Sequence, residues 1–163
     1  MNRWTFFYTS NLILFLLFFG YSMYKKESII TDGKLILIPL APRDPRSLLQ
    51  GDYMSLSYNW EMLSDQNVGF KRGCIVFKYS DETFTPLRLE RSLDTLQSDE
   101  KCIKYFGSFP NLKIGAESYF FQEGKAKDFE SARFVGLKLA TNGDKVIIGL
   151  FDEKRELIGT ELK

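Results

Sequence analysis

From Trp4 to Tyr24 no position is charged, and nowhere else does the chain run apolar for so long. Twenty-one residues of helix at ~1.5 Å each span about 31 Å, enough for a bilayer core of roughly 30 Å. After Lys25 and Lys26 the pattern changes period. Lys34 to Leu40 alternates weakly, as a strand does. Met54, Leu56, Tyr58 and Trp60 then alternate with Tyr53, Ser55, Ser57 and Asn59, the signature of a half-buried strand. Cys74 to Tyr79 and Phe84 to Leu89 form a hairpin pattern around Ser80-Asp81-Glu82-Thr83, and Cys102 to Phe106 and Ser118 to Gln122 read as further strands. Ala126 to Ala132 is the one helical stretch expected after the apolar segment. Val135, Leu137 and Leu139 alternate up to Asn142-Gly143, a strong hairpin turn, and Val146, Ile148 and Leu150 alternate on the return, with a further turn and strand after Phe151. Strands at this spacing predict a mostly β, antiparallel, barrel- or sandwich-like domain with one N-terminal transmembrane helix and one short helix. The expected division is an anchor over 1–26, a linker over 27–33 and a soluble domain over 34–163.

Flanking residues refine the reading of the apolar segment. Trp4 and Tyr8 stand near one end, Tyr21 and Tyr24 near the other, where amphipathic rings meet headgroups. Two readings stand: an uncleaved anchor, or a signal peptide cleaved after Gly20-Tyr21-Ser22. The bulky aromatics around that site and the length of the uncharged run favour the anchor. Orientation is nearly tied on charge, with Arg3 on one side and Lys25-Lys26 on the other. Those three are the only charges before Glu27; without them the 22 basic residues fall two short of the 21 acidic ones. A domain so balanced has no electrostatic reason to bind nucleic acid.

Pro42 to Tyr58, PRDPRSLLQGDYMSLSY, places Arg43, Asp44, Arg46 and Asp52 on a loop stiffened by two prolines and ended by Gly51. Within it Gly51, Asp52, Tyr53, Leu56 and Tyr58 spell G-D-Y-x-x-L-x-Y. Downstream, Tyr119-Phe120-Phe121-Gln122-Glu123-Gly124 and Phe129-Glu130-Ser131-Ala132-Arg133 form a second block. In both blocks the chain resembles the GDYXXLXY family of bacterial proteins, over most of its length after the N-terminal segment. The resemblance implies an exported domain anchored in the inner membrane by one pass and facing the periplasm. It also implies a neighbouring multi-spanning membrane protein as partner, and no established activity.

Candidate chemistry is sparse. There is no histidine, so the commonest general base and metal ligand are both missing. Leu48-Leu49-Gln50-Gly51-Asp52-Tyr53 is similar to a segment of signal peptidase-like serine proteases. Arg43 occupies the position of their nucleophilic serine, and no lysine block stands around Lys71 or Lys78, so a base is missing. Asp44, Asp52, Glu123 and Glu130 are candidates for a carboxylate site, weighed against turn-capping and pairing with Arg43, Arg46 and Arg133. No calcium-loop pattern is present, and neither a metal nor a cofactor is expected. Cys74 and Cys102 either pair in an oxidising compartment or stay as two buried thiols. Tyr53, Tyr58, Trp60 and the 119–121 aromatics either line a groove or fill the core.

The expected function is therefore a membrane-anchored periplasmic accessory module, docking on an integral membrane protein. Its candidate binding residues are Arg43, Asp44, Arg46, Asp52, Tyr53, Tyr58, Glu123 and Arg133. The competing expectation is an envelope enzyme, or a degenerate peptidase fold, acting on peptide or glycan through carboxylates.

Overall fold

The computed structural model describes residues 3–41, 53–66, 70–80, 83–94, 96–122 and 124–159. Helix α1 spans Arg3–Asp32, its apolar part exposed along its length. It is long and apolar enough to cross a membrane once. The helix does not stop where a linker is expected over 27–33. Nothing from Glu27 to Asp32 breaks it, and Gly33 N–H still donates to the Ile29 carbonyl at 2.9 Å. β1 (Lys34–Pro39) follows at once. A Cβ at position 33 would collide with that same Ile29 carbonyl, so glycine permits the abrupt change from helix to strand.

Eight strands are present among the described residues. After β1 come β2 (Tyr53–Ser55), β3 (Arg72–Ser80), β4 (Thr83–Glu90), β5 (Glu100–Phe106), β6 (Ser118–Phe120), β7 (Phe134–Leu139) and β8 (Lys145–Phe151). Six form one sheet in the order β5-β3-β4-β1-β7-β8, and β2 pairs with β6 as a separate ribbon. Every pair is antiparallel except β1 with β4, which meet at the single register Leu37↔Thr83. Beyond that contact, the free edge of β4 is bonded by a side chain. Gln66 Nε2 donates to the Leu87 carbonyl at 3.0 Å and its Oε1 accepts from Leu89 N–H at 2.6 Å, as a neighbouring strand would. Pro86, which has no N–H to offer a ladder, lies beside the β3 irregularity at Val76/Phe77.

The sheet remains open, but its two edges approach. The tip of the β7–β8 hairpin reaches β5, where Gly143 carbonyl accepts from Lys104 N–H at 3.2 Å and Lys145 Nζ donates to the Lys104 carbonyl at 2.6 Å. The concave face encloses the main core, with Ile36, Ile38, Ile75, Phe77, Ile103, Val135 and Leu137 nearly inaccessible. The β2–β6 ribbon and the segment 112–116 close over it. As the alternation predicts, Met54, Leu56 and Trp60 face inward. On β8 the expected alternation slips: a bulge pairs Gly136 with Gly149 and Leu137 with Ile147. The extra residue, Ile148, sets the positions before it on the opposite alternation, so Ile147 packs on the core where Val146 and Ile148 are expected, while Leu150 packs there as the pattern predicts. The short helix expected over 126–132 is a single 3-10 turn, Ala126–Phe129. It lies between Gly124, whose φ is +82°, and Arg133, whose N–H is already bonded to the Phe151 carbonyl. Bonds of the same i→i+3 kind carry on as far as Ala132, whose N–H donates to the Phe129 carbonyl, and at Arg133 the backbone joins the sheet instead. After Phe151 the expected strand is one isolated bridge, Phe151↔Leu157.

Candidate functional site

The motif stretch is held from both sides at its base. Leu40 N–H donates to the Arg133 carbonyl and Ala41 N–H to the Ser57 carbonyl, each at 2.8 Å. Leu40 also bridges Tyr58. Arg43, Asp44, Arg46, Asp52 and Glu123 lie outside the described residues. The described motif positions divide by role.

Leu56 is buried, and its N–H donates to the Glu117 carbonyl at 2.8 Å. Tyr58 is half-buried and its hydroxyl donates to the Ala116 carbonyl. Burial, and secondarily the Glu117 carboxylate, push the Tyr58 phenol above its usual range. Trp60 follows the same rule, its Nε1 donating to the Leu112 carbonyl at 3.1 Å. Each of these aromatics buries its ring and spends its polar tip on the 112–116 backbone. Tyr53 alone turns outward, its ring 5.8 Å from that of exposed Phe120 across the β2–β6 ribbon. Arg133 is exposed, with Nη1 bonded to the Ala132 carbonyl at 3.1 Å. Tyr53 and Tyr58 thus stand on different faces, while Arg133 joins Tyr58 at the base of the loop.

Cys74 on β3 and Cys102 on β5 are joined by a disulfide, Cα to Cα 5.4 Å. The register explains the contact. Val76 faces Cys102 and Cys74 faces Lys104, so the cysteines are diagonal neighbours on one face. That face is opposite the main core and forms a small cluster with Val76, Leu93 and Leu96.

The strongest electrostatic features fall elsewhere. Glu100, buried at the start of β5, accepts from Arg88 Nη1 and Nη2 at 2.5 and 2.8 Å and from Gln97 N–H at 3.0 Å. The Arg88 guanidinium, then the Gln97 N–H, bring its carboxyl down to about 2. Glu90 holds the other edge of Arg88 at 2.9 Å.

Asp144, in the β7–β8 turn, pairs with Lys104 at 2.8 Å and with Lys25 of α1 at 2.9 Å. Burial would raise the Asp144 carboxyl. Hydrogen bonds from Lys104, Lys25 and Asn142 outweigh that and hold it well below the carboxylate range. In the sequence Lys25 stands only as a charge at the end of the apolar run, and no pattern there singles out Asp144. The signal available was an acidic residue directly after Asn142-Gly143, where it closes the turn through Ala140 and Asn142 and leaves its carboxylate free to take the two lysines as well. Among the described residues no three His, Cys, Asp or Glu side chains are grouped to hold a metal ion.

No curated protein and no solved structure matches the chain. A family model described as "GDYXXLXY protein" matches residues 15–150, from the middle of α1 into β8. The protein belongs to the GDYXXLXY family.

Proposed function

We propose that this protein is an accessory module of the bacterial cell envelope, its β domain held on the periplasmic face of the inner membrane and acting with an integral membrane partner. The observation that carries the reading is the continuity of α1. One exposed apolar helix runs without interruption to Asp32 and passes through Gly33 into β1. A domain built this way has its working surfaces beside the bilayer, within reach of other membrane proteins. The Cys74–Cys102 disulfide supports the outer side, because such bonds persist in oxidising compartments. Glu100 and Asp144 are committed to Arg88 and to lysines, and Glu117 Oε1 accepts from Ile114 and Gly115 N–H. Such carboxylates hold structure together and are not free for acid–base work. The docking surface on this reading is the Pro42–Asp52 stretch with Glu123 and Arg133; Tyr58, its hydroxyl spent on Ala116, supports the base of that stretch, and Tyr53 lies on a different face. The partner is a multi-spanning protein, as the family resemblance implies.

Two measurements test it. A reporter active only outside the cytoplasm, fused after Lys163, is expected to give signal in the membrane fraction. Signal confined to the cytoplasm reverses the orientation, and signal in the soluble periplasm replaces the anchor with a cleaved leader. Cross-linking in intact membranes is expected to capture a multi-spanning protein with the native chain. Arg43→Ala with Arg46→Ala should lose that capture while leaving the melting temperature nearly unchanged, since exposed ion pairs contribute roughly 0–1 kcal/mol. Capture that survives both changes, or a domain that unfolds with them, refutes the docking loop.

A further inference from the structure

Where α1 leaves its apolar stretch, a groove of about 480 Å³ opens between the helix and the sheet edge. Lys25 and Lys26 form its helix side; Lys104, Asp144 and Lys145 form its sheet side, with Ile29 and Ile114 as apolar walls. Four ammonium groups therefore face one carboxylate. Asp144 is already shared between Lys25 and Lys104. Glu117 is near enough to act on Lys145, yet its Oε1 is bonded to Ile114 and Gly115 N–H. Counting both carboxylates, the groove keeps a net excess of two positive charges. Lys26 is exposed and Lys145 is half-buried. Among the described residues neither has a carboxylate within ion-pair distance. Lys145 spends one donor on the Lys104 carbonyl. Burial brings its ammonium down to about 8, against the pull of Glu117 and Asp144.

Position selects the kind of anion. The uncharged run ends at Tyr24, so Lys25 and Lys26 stand at the level of the headgroup phosphates when the run fills the hydrocarbon. Ser22, Phe18, Phe15 and Asn11 recede from the groove at spacings of four, three and four, along one helix face. On that side Leu14, Phe15, Phe18 and Tyr21 border a shallow apolar channel. A cationic groove above an apolar channel has the shape of an amphiphile, not of a soluble ion. We propose that the groove binds the phosphate headgroup of an anionic phospholipid from the leaflet at which α1 ends, with an acyl chain lying along the helix below. Lys26 and Lys145 are the contacting cations. Lys25 and Lys104 are positioned by Asp144, which fastens the helix against the hairpin tip and so gives the groove its two walls.

The inference rests on α1 lying in a bilayer, the membrane part of the reading above. Its test keeps the two separable. The full chain is assembled into nanodiscs of phosphatidylcholine, alone or mixed with phosphatidylglycerol, and association of spin-labelled lipids is measured. Phosphatidylglycerol is expected to be preferred over phosphatidylcholine by roughly fivefold or more, and Lys26→Gln to remove most of that preference. Lys145→Gln should act likewise, while Lys154→Gln, outside the groove, should change nothing. Because the Lys26 side chain is exposed, its substitution carries the test even if Lys145→Gln lowers the melting temperature.

The side-chain resonances of Lys145 locate the contact. Phosphatidylglycerol should raise its titration midpoint, and phosphatidylcholine should not. An equal rise in pure phosphatidylcholine discs on adding inorganic phosphate would mean a soluble-anion site and overturn the lipid assignment. Incorporation into discs without any phosphatidylglycerol preference would also overturn it. Failure to enter discs at all would instead overturn the membrane anchor.

Discussion

Glu100 shows how one side chain sets an acid limit for the domain. It is buried and bonded to both Nη atoms of Arg88 and to the Gln97 backbone, so its carboxylate form is favoured by the fold. Its folded pKa of about 2 lies below the ordinary value of 4.5. The unfolded chain therefore binds the proton first as pH falls. Stability from this group is complete above pH 4.5 and is lost progressively as pH falls toward 2. Asp144, also depressed, adds to the loss in the same direction. Melting temperatures measured across that window should fall steeply for the native chain. Glu100→Gln should lower the neutral-pH value and flatten the acid slope; an unchanged slope would remove Glu100 as the cause. At Tyr58 the expectation is of another kind. Tyr58→Phe keeps the ring but strands the Ala116 carbonyl, costing about 1–3 kcal/mol, a difference readable in denaturant midpoints. The inward turn of Tyr58 is written in its alternation with Ser57 and Asn59. That its hydroxyl ends on Ala116, fifty-eight residues away, is written nowhere in the local sequence.

Among elements, legibility followed period. β1, the β3–β4 hairpin and β7 are each announced by alternation and bounded by turn residues, and they form where the pattern puts them. Three elements were not legible, each for a physical reason. α1 continues to Asp32 because the charged residues after Tyr24 end the apolar run without ending the helix. The inward face of β8 shifts because a bulge leaves no trace in composition. The turn at Ala126–Phe129 stays short because Arg133 N–H is already bonded to the Phe151 carbonyl and β7 begins at Phe134. The candidate site was less legible than the fold. Tyr58 and Arg133 meet only because Leu40 is bonded to both segments, a contact between elements rather than within one. The disulfide depends on the β3–β5 register, which no local pattern specifies. It ties strands whose cysteines are 28 residues apart. A loop of that length stabilises by about 3–4 kcal/mol in the chain-entropy model. Cys102→Ser, or reduction of the native chain, should lower the unfolding free energy by that order. A loss much under 1 kcal/mol would show that the strand pairing holds β5 without it.

For the whole molecule, the core lies entirely within the β domain, and α1 contributes Ile29 and the Lys25–Asp144 pair at its edge. Removing residues 1–26 should therefore leave a soluble domain with a strand-dominated circular dichroism spectrum and a cooperative melt. An insoluble or helical product would count against an independent β domain. What the passage through Gly33 removes is slack. The eight residues from Lys25 to Asp32, about 12 Å of helix, run beside the β7–β8 hairpin, whose tip the Lys25–Asp144 pair holds at the level where the apolar run ends, and no flexible stretch lets the domain swing from there. Such a domain is a rigid mast. With α1 in a bilayer, as proposed, it diffuses in the plane and spins about the bilayer normal, while its height and tilt are already fixed before any encounter. Association with another membrane protein then begins with most orientational freedom already surrendered, which favours tight binding from a modest contact area. A flexible glycine-serine insert at Gly33 should leave the melting temperature of the domain intact while weakening capture of the proposed membrane partner, because the effective concentration falls as the tether lengthens.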